Sequence, residues 1–104
     1  MAWEWQFAIG QRGEAPRAVT VHDDGAGVRV GRLIDADISL RAGNVAKFHC
    51  RCWVDEHGQP YVEDENSTNG TYVNGHKISR HALRDDDKIY VGDFILCFHR
   101  IVDA

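Results

Sequence analysis

Ser67, Thr68 and Asn69 place three small hydrogen-bonding side chains in a row, inside the run Asp64-Glu65-Asn66-Ser67-Thr68-Asn69-Gly70-Thr71-Tyr72-Val73-Asn74-Gly75. Hydroxyls and a carboxamide set at a bend make directional hydrogen bonds, which is chemistry of recognition. Two Asn-Gly pairs bracket the β-prone Thr71-Tyr72-Val73. Asn-Gly is a strong turn signal because both residues tolerate positive φ at low steric cost. The stretch therefore reads as turn, very short strand, turn. A loop pinned at both ends on a sheet scaffold is suited to presenting binding groups.

The elements that must hold this loop are strands. Trp3, Trp5, Phe7 and Ile9 alternate with Glu4, Gln6 and Ala8, the period of a half-buried strand. Residues 10–17 are a polar connection. Ala18-Val19-Thr20-Val21-His22 and Val28-Arg29-Val30 read as two strands of a hairpin around the Gly-rich turn at 23–27. Residues 33–44 read as mostly loop, with a small Asp37-Ile38-Ser39-Leu40 unit. Further strands are expected at 49–54, 61–63, 88–91 and 94–102, with Lys77-Ile78 as a short one between. Turn signals recur roughly every 8–12 residues and no helical period persists, which points to an antiparallel β-sandwich.

The alternation also assigns faces. Phe94, Leu96 and Phe98 take the core side of the last strand, turning Cys97 and His99 outward. Cys50, Cys52 and Val54 share the inward phase, leaving Arg51 and Trp53 outside. Cys50-x-Cys52 and Cys97-x-His99 therefore cannot converge as the four ligands of a zinc site, and the reading is no metal and no cofactor. Asp85-Asp86-Asp87 and Asp64-Glu65-Asn66 lack the spacing of a calcium loop and read as solvated turns. No nucleophile elbow, phosphate-binding glycine loop or metalloprotease helix is present, so no enzyme is expected.

The 104 residues suffice for one compact domain with its own core, and 1–104 is read as a single unit. A net charge of −4 argues against nucleic acid as the main partner. The first residues lack the pattern of a secretory signal, and no apolar run approaches the ~20 residues that span a bilayer. Three cysteines, two of them in Cys50-Arg51-Cys52, favour free thiols in a reducing compartment. A cytoplasmic location is expected, without membrane insertion.

A more specific pattern runs along the chain: Gly31-Arg32, Asp37-Ile38-Ser39-Leu40, Val45-Ala46-Lys47-Phe48-His49, Ser67-Thr68-Asn69-Gly70-Thr71, Val73-Asn74-Gly75 and Gly92-Asp93. In this order, on an all-β background, the series resembles the forkhead-associated (FHA) family from about residue 19 to 98. The resemblance implies a sandwich of about eleven strands with binding loops at one end. It also implies a protein-interaction module of signalling proteins that reads phosphothreonine peptides, sometimes beside other domains of a larger protein. By motif, Arg32 would contact the phosphate, with Lys47 nearby. Thr68 would give a hydroxyl to the phosphate, and Asn69 would bond the peptide backbone. His49 would brace the loops, and Gly31, Gly70, Asn74 and Gly75 would shape the backbone.

The residue chemistry agrees, because a phosphate dianion is best held by charge-assisted donors. One position departs from the family pattern: Ala46 stands where a serine hydroxyl would contact the phosphate. A hydrogen bond to a charged group contributes ~1.5–3 kcal/mol, roughly 10- to 150-fold in affinity. Lys47 keeps a charge but lacks the planar fork of arginine. Arg41 and Asn44 lie in the same loop as possible replacement donors. The alternative reading is an FHA-fold interaction or oligomerisation module independent of phosphate, with the outward Trp53 as a contact.

Overall fold

A computed structural model describes residues 2–104; Met1, the first residue of the expected 1–104 unit, lies outside the described residues. Eleven strands follow one another: β1 (Trp3–Gln11), β2 (Arg17–Asp23), β3 (Val28–Gly31), β4 (Ile38–Ser39), β5 (Cys50–Val54), β6 (Pro60–Asp64), β7 (Thr71–Val73), β8 (His76–Ile78), β9 (Arg80–Ala82), β10 (Lys88–Val91) and β11 (Phe94–Asp103). They form two sheets, β2-β1-β11-β10-β7-β8 and β4-β3-β5-β6-β9, packed as an all-β sandwich. No helix among the described residues is long and apolar enough to cross a membrane.

Period-2 alternation builds the core. Trp5, Phe7 and Ile9 from β1 meet Leu96 and Phe98 from β11, and Val28, Val30, Cys50, Cys52 and Val62 face them from the other sheet. The rings of Trp5, Phe7 and Phe98 lie 5.5–5.9 Å apart between centroids, one pair stacked, one tilted and one edge-to-face. The Trp5 indole N–H donates to the buried Asp23 carboxylate at 2.9 Å, so the ring's one polar group is satisfied inside the core.

Two expectations change. The strands flanking residues 23–27 do not pair as a hairpin: β2 edges the six-stranded sheet, and β3 belongs to the five-stranded one. The bend is held from within by Asp23, whose Oδ1 accepts the backbone N–H groups of Gly25 and Gly27, each at 2.9 Å. Its Oδ2 takes the Trp5 N–H. This anchor carries the chain across the sandwich instead of back along the same sheet. Secondly, β3 and β4 pair parallel, whereas the other described pairings are antiparallel. The parallel pairing follows from the 32–37 connection, which loops back to lay Ile38 beside Val30.

A β-bulge interrupts β11. Phe98 pairs with Phe7 and Arg100 with Gln6, leaving His99 unpaired. Phe98 therefore stays inside while His99 and Arg100 are both exposed.

Candidate functional site

The loops that carry the predicted residues follow β3 and precede β5 and β7. Gly31 ends β3 directly under the next loop: a Cβ there would overlap the carbonyl oxygen of Lys47. Only glycine lets the 44–47 segment descend onto β3. Arg32 then reaches up into that segment. Its backbone N–H donates to Ala46 O at 3.0 Å and its Nε–H to Val45 O at 3.1 Å. The terminal nitrogens of its guanidinium make no further hydrogen bond within the described residues, leaving a planar donor pair free.

His49 is completely buried and joins two loops. Its Nδ1 accepts the Ala46 N–H at 3.1 Å, and this acceptor role puts the ring proton on Nε2, 2.9 Å from Gly70 O. The carbonyl of His49 also receives the Glu65 N–H at 2.9 Å. One side chain thus fixes the spacing between Ala46-Lys47 and the Thr68-Asn69-Gly70 turn. Across the gap, the Asn69 carboxamide donates to Asn44 O at 3.2 Å.

The Ser67-Thr68-Asn69 turn has an anchor that the sequence reading did not identify. Asp64, at the end of β6, accepts from the Ser67 and Thr71 hydroxyls and from the Ser67 N–H. The Ser67 Oγ in turn accepts the Gly70 N–H at 3.0 Å. Burial pushes the Asp64 carboxyl up, but the Ser67 and Thr71 hydrogen bonds outweigh it and hold it below its ordinary value of 3.8. A carboxylate three residues before a serine is a local signal of such a turn. Ser67 is thereby committed to the scaffold, whereas Thr68 is exposed.

The two Asn-Gly pairs differ. Asn74 and Gly75 both have positive φ, 50° and 88°, as a tight hairpin turn between β7 and β8 requires. In the first turn the left-handed residues are Asn66 and Gly70, with φ of 58° and 83°, and Asn69 is not among them. The Asn69 side chain is directed by its hydrogen bond to Asn44 O, not by an inverted Asn conformation. Asn74 lies away from this turn and clasps the start of β10, donating to Asp87 Oδ1 at 2.9 Å and accepting from Lys88 N at 3.0 Å.

The predicted Arg32, Lys47, Thr68 and Asn69 thus come from three mutually tied loops. Three of them border separate hollows, and Thr68 lines none of the three. Arg32 and Arg41 line one with Ile34, Lys47 borders a second with Phe48, and Asn69 and Asn44 border a third with Tyr72 and Gly92. Arg32, Arg41 and Lys47 have no carboxylate within ion-pair distance among the described residues. Ile34 and Phe48 beside them are 80% and 57% exposed, so the cations have apolar neighbours that water now covers.

The cysteines add no second chemistry here. Cys50 and Cys52 are buried, and burial raises both thiols, Cys52 to about 12. They are protonated core residues at neutral pH. Cys97 and His99 lie on the other side of the opposite sheet, as the alternation predicts.

Comparisons with known proteins accord with this geometry. The family profile described as FHA domain matches residues 28–92. The chain is 35% identical over 80 residues to the mouse protein "Angiogenic factor with G patch and FHA domains 1", covering 67% of this chain and 11% of that protein. It is 37% identical over 68 residues to the glycogen accumulation regulator GarA of Mycolicibacterium smegmatis, covering 65% of this chain and 42% of the other. Among solved structures, Mycobacterium tuberculosis EmbR, described as in complex with a low affinity phosphopeptide, superposes with a TM-score of 0.76 at 28% identity. That match covers 90% of this chain and 24% of EmbR. With a profile match across more than half its length, at the loops described above, the chain belongs to the FHA domain family.

Proposed function

We propose that the chain is a phosphothreonine-reading interaction module, with no catalytic role, in which Arg32 and Lys47 hold the phosphate, Thr68 adds a hydroxyl and Asn69 grips the peptide backbone. One observation supports this reading above others. Around loops tied by Arg32, His49 and the Asn69–Asn44 bond stand three cations, Arg32, Arg41 and Lys47, without carboxylate partners among the described residues, on a protein of net charge −4. A dianion with three acceptor oxygens matches free guanidinium and ammonium donors. Exposed Ile34 and Phe48 would be covered by residues flanking the phosphothreonine.

Arg41 shares a hollow with Arg32 and is the candidate to supply charge where Ala46 lacks a hydroxyl. The phosphopeptide bound by EmbR is a property of that protein, and it supports the same ligand class here. The partner would be a phosphothreonine protein, and the three free thiols suit a reducing, cytoplasmic setting. The test is titration of a degenerate phosphothreonine peptide library against its unphosphorylated twin, with Arg32→Ala as control. Phosphate-dependent binding that drops at least ten-fold in Arg32→Ala is expected. Equal binding of the two libraries would overturn the proposal.

A second reading, a phosphate-independent contact surface, is favoured by the outer face of the five-stranded sheet. Trp53 and Tyr61 stack there with centroids 4.7 Å apart, flanked by Arg51 and Arg80 over their rings. Trp53 is thus part of a cation–aromatic ladder and not an isolated exposed ring. Partner binding or self-association abolished by Trp53→Ala but untouched by Arg32→Ala would select this reading.

A further inference from the structure

On the outer face of the six-stranded sheet, three side chains of different ligand type meet. Asp86 sits in the turn before β10, Cys97 points outward from β11, and His99 is the extra residue of the β11 bulge. Their potential ligand atoms all lie within 4.8 Å of one another. The imidazole Nδ1 of His99 is 3.4 Å from Asp86 Oδ1, and the Cys97 thiol is 3.8 Å from the Asp86 carbonyl oxygen.

The backbone holds this arrangement from both sides. Asp86 N donates to Phe98 O at 2.7 Å, and Phe98 N donates to Asp87 O at 2.8 Å. The turn is therefore clamped to the residue lying between Cys97 and His99. Bulges re-aim side chains, and this one keeps Phe98 in the core while leaving His99 and Arg100 both on the surface. The cluster lies at the start of β10, whereas Gly92 and the binding loops lie past its end, so it is separate from the proposed peptide site.

We propose that Asp86, Cys97 and His99 form a three-ligand site for Zn2+, with the fourth position open to water. A thiolate, an imidazole and a carboxylate are the borderline-soft donor set that Zn2+ takes in tetrahedral coordination; Mg2+ and Ca2+ reject the sulfur. Binding exchanges the thiol proton for the metal: Zn2+ joins Sγ, and H+ leaves to solvent. Lys88 stands opposite Cys97 in the β10–β11 register and opposes a cation there. The Asp86 carboxylate and the new thiolate offset it. The set Cys50, Cys52, Cys97 and His99, for which the strand alternation predicts no metal, is a different one, its members lying in opposite sheets. Asp86 replaces the two buried cysteines.

The test uses the whole chain, stripped of metal and reduced with a phosphine. Co2+ is titrated first as a spectroscopic probe, then displaced by Zn2+, and Zn2+ affinity is read by competition with a chromophoric chelator. One equivalent is expected to bind at about micromolar affinity, with a near-ultraviolet sulfur-to-cobalt charge-transfer band. Cys97→Ser abolishes the band, and His99→Ala weakens binding at least ten-fold. Asp86→Asn, which tolerates the positive φ of 69° at this position, does the same. Unchanged circular dichroism and thermal midpoints of the metal-free variants separate ligand loss from misfolding. No binding to the wild-type chain would overturn the proposal, as would a band surviving Cys97→Ser or affinity unmoved by His99→Ala.

Discussion

Gly31 lies so close beneath Lys47 that no side chain fits between the α-carbon of one and the carbonyl of the other. Because the neighbour is backbone, it cannot swing aside as a side chain would. Gly31→Ala should therefore lower stability by about 1–3 kcal/mol through overpacking. It should also weaken phosphopeptide binding, since Arg32 bonds the displaced segment at Val45 and Ala46. Urea unfolding and peptide titration on the same variant check both effects. An unshifted midpoint would show that the loop accommodates the methyl group freely.

Ala46→Ser tests whether the missing hydroxyl matters. Ala46 already uses its backbone N–H on His49 and its carbonyl on Arg32, so the substitution adds a donor to a segment whose main chain is fixed. A restored charge-assisted hydrogen bond should tighten phosphopeptide binding by roughly 10- to 150-fold. Calorimetry with one phosphopeptide selected from the library measures this. Unchanged affinity would mean that Arg41 or another donor already fills that place.

Removing His49 should act at a distance from the ligand. His49→Ala forfeits both loop ties and leaves a cavity at a fully buried position, an expected loss of about 2–4 kcal/mol. In the remaining folded protein the Ala46 and Gly70 loops are untied. Peptide affinity should then fall although His49 itself is buried away from solvent. Amide exchange at Ala46 N–H would rise alongside it; protection equal to wild type would remove His49 from the bracing role.

Asp64 gives a pH dependence with a definite sign. Its carboxyl is held below the ordinary value in the folded state by Ser67 and Thr71, against the effect of burial. The stability it contributes is present above the unfolded value and is lost as pH falls through the lower folded value. Wild-type stability should decline on acidification below pH of about 4, and Asp64→Asn should remove that part of the decline. At neutral pH the same variant should cost about 1–3 kcal/mol through weaker hydrogen bonds. Chemical denaturation at neutral and acid pH distinguishes the two effects.

The strands were legible because burial imprints a two-residue period: Trp5, Phe7, Ile9, Leu96 and Phe98 carry it directly, and Cys50 and Cys52 follow it into the core. Strand partnership was less legible. A Gly-rich bend after Val21 is equally compatible with returning along one sheet or crossing to the other, and the decision rests with Asp23, whose contact to Trp5 spans eighteen positions. The bulge at His99 is hidden for the same reason, since it is defined by the partner strand β1. At the site, the sequence motifs bring Arg32, Lys47, Thr68 and Asn69 into neighbouring loops. Asp64 and the Asn44 carbonyl escaped because acceptors that serve a scaffold look, in sequence, like any solvated polar residue.

The chain's two ends meet. Trp3 pairs with Asp103, and Ala104 N donates to Ala2 O at 3.2 Å. β11 runs from Phe94, two residues after the Gly92 that lines the hollow with Asn69, to this meeting point, so the described ends lie at the opposite end of β11 from the proposed peptide site. The fold therefore has the geometry of a plug: cargo or reporter attached at either of these ends, or a host protein into whose surface turn the unit is spliced, would sit at the other end of β11 from the proposed peptide site.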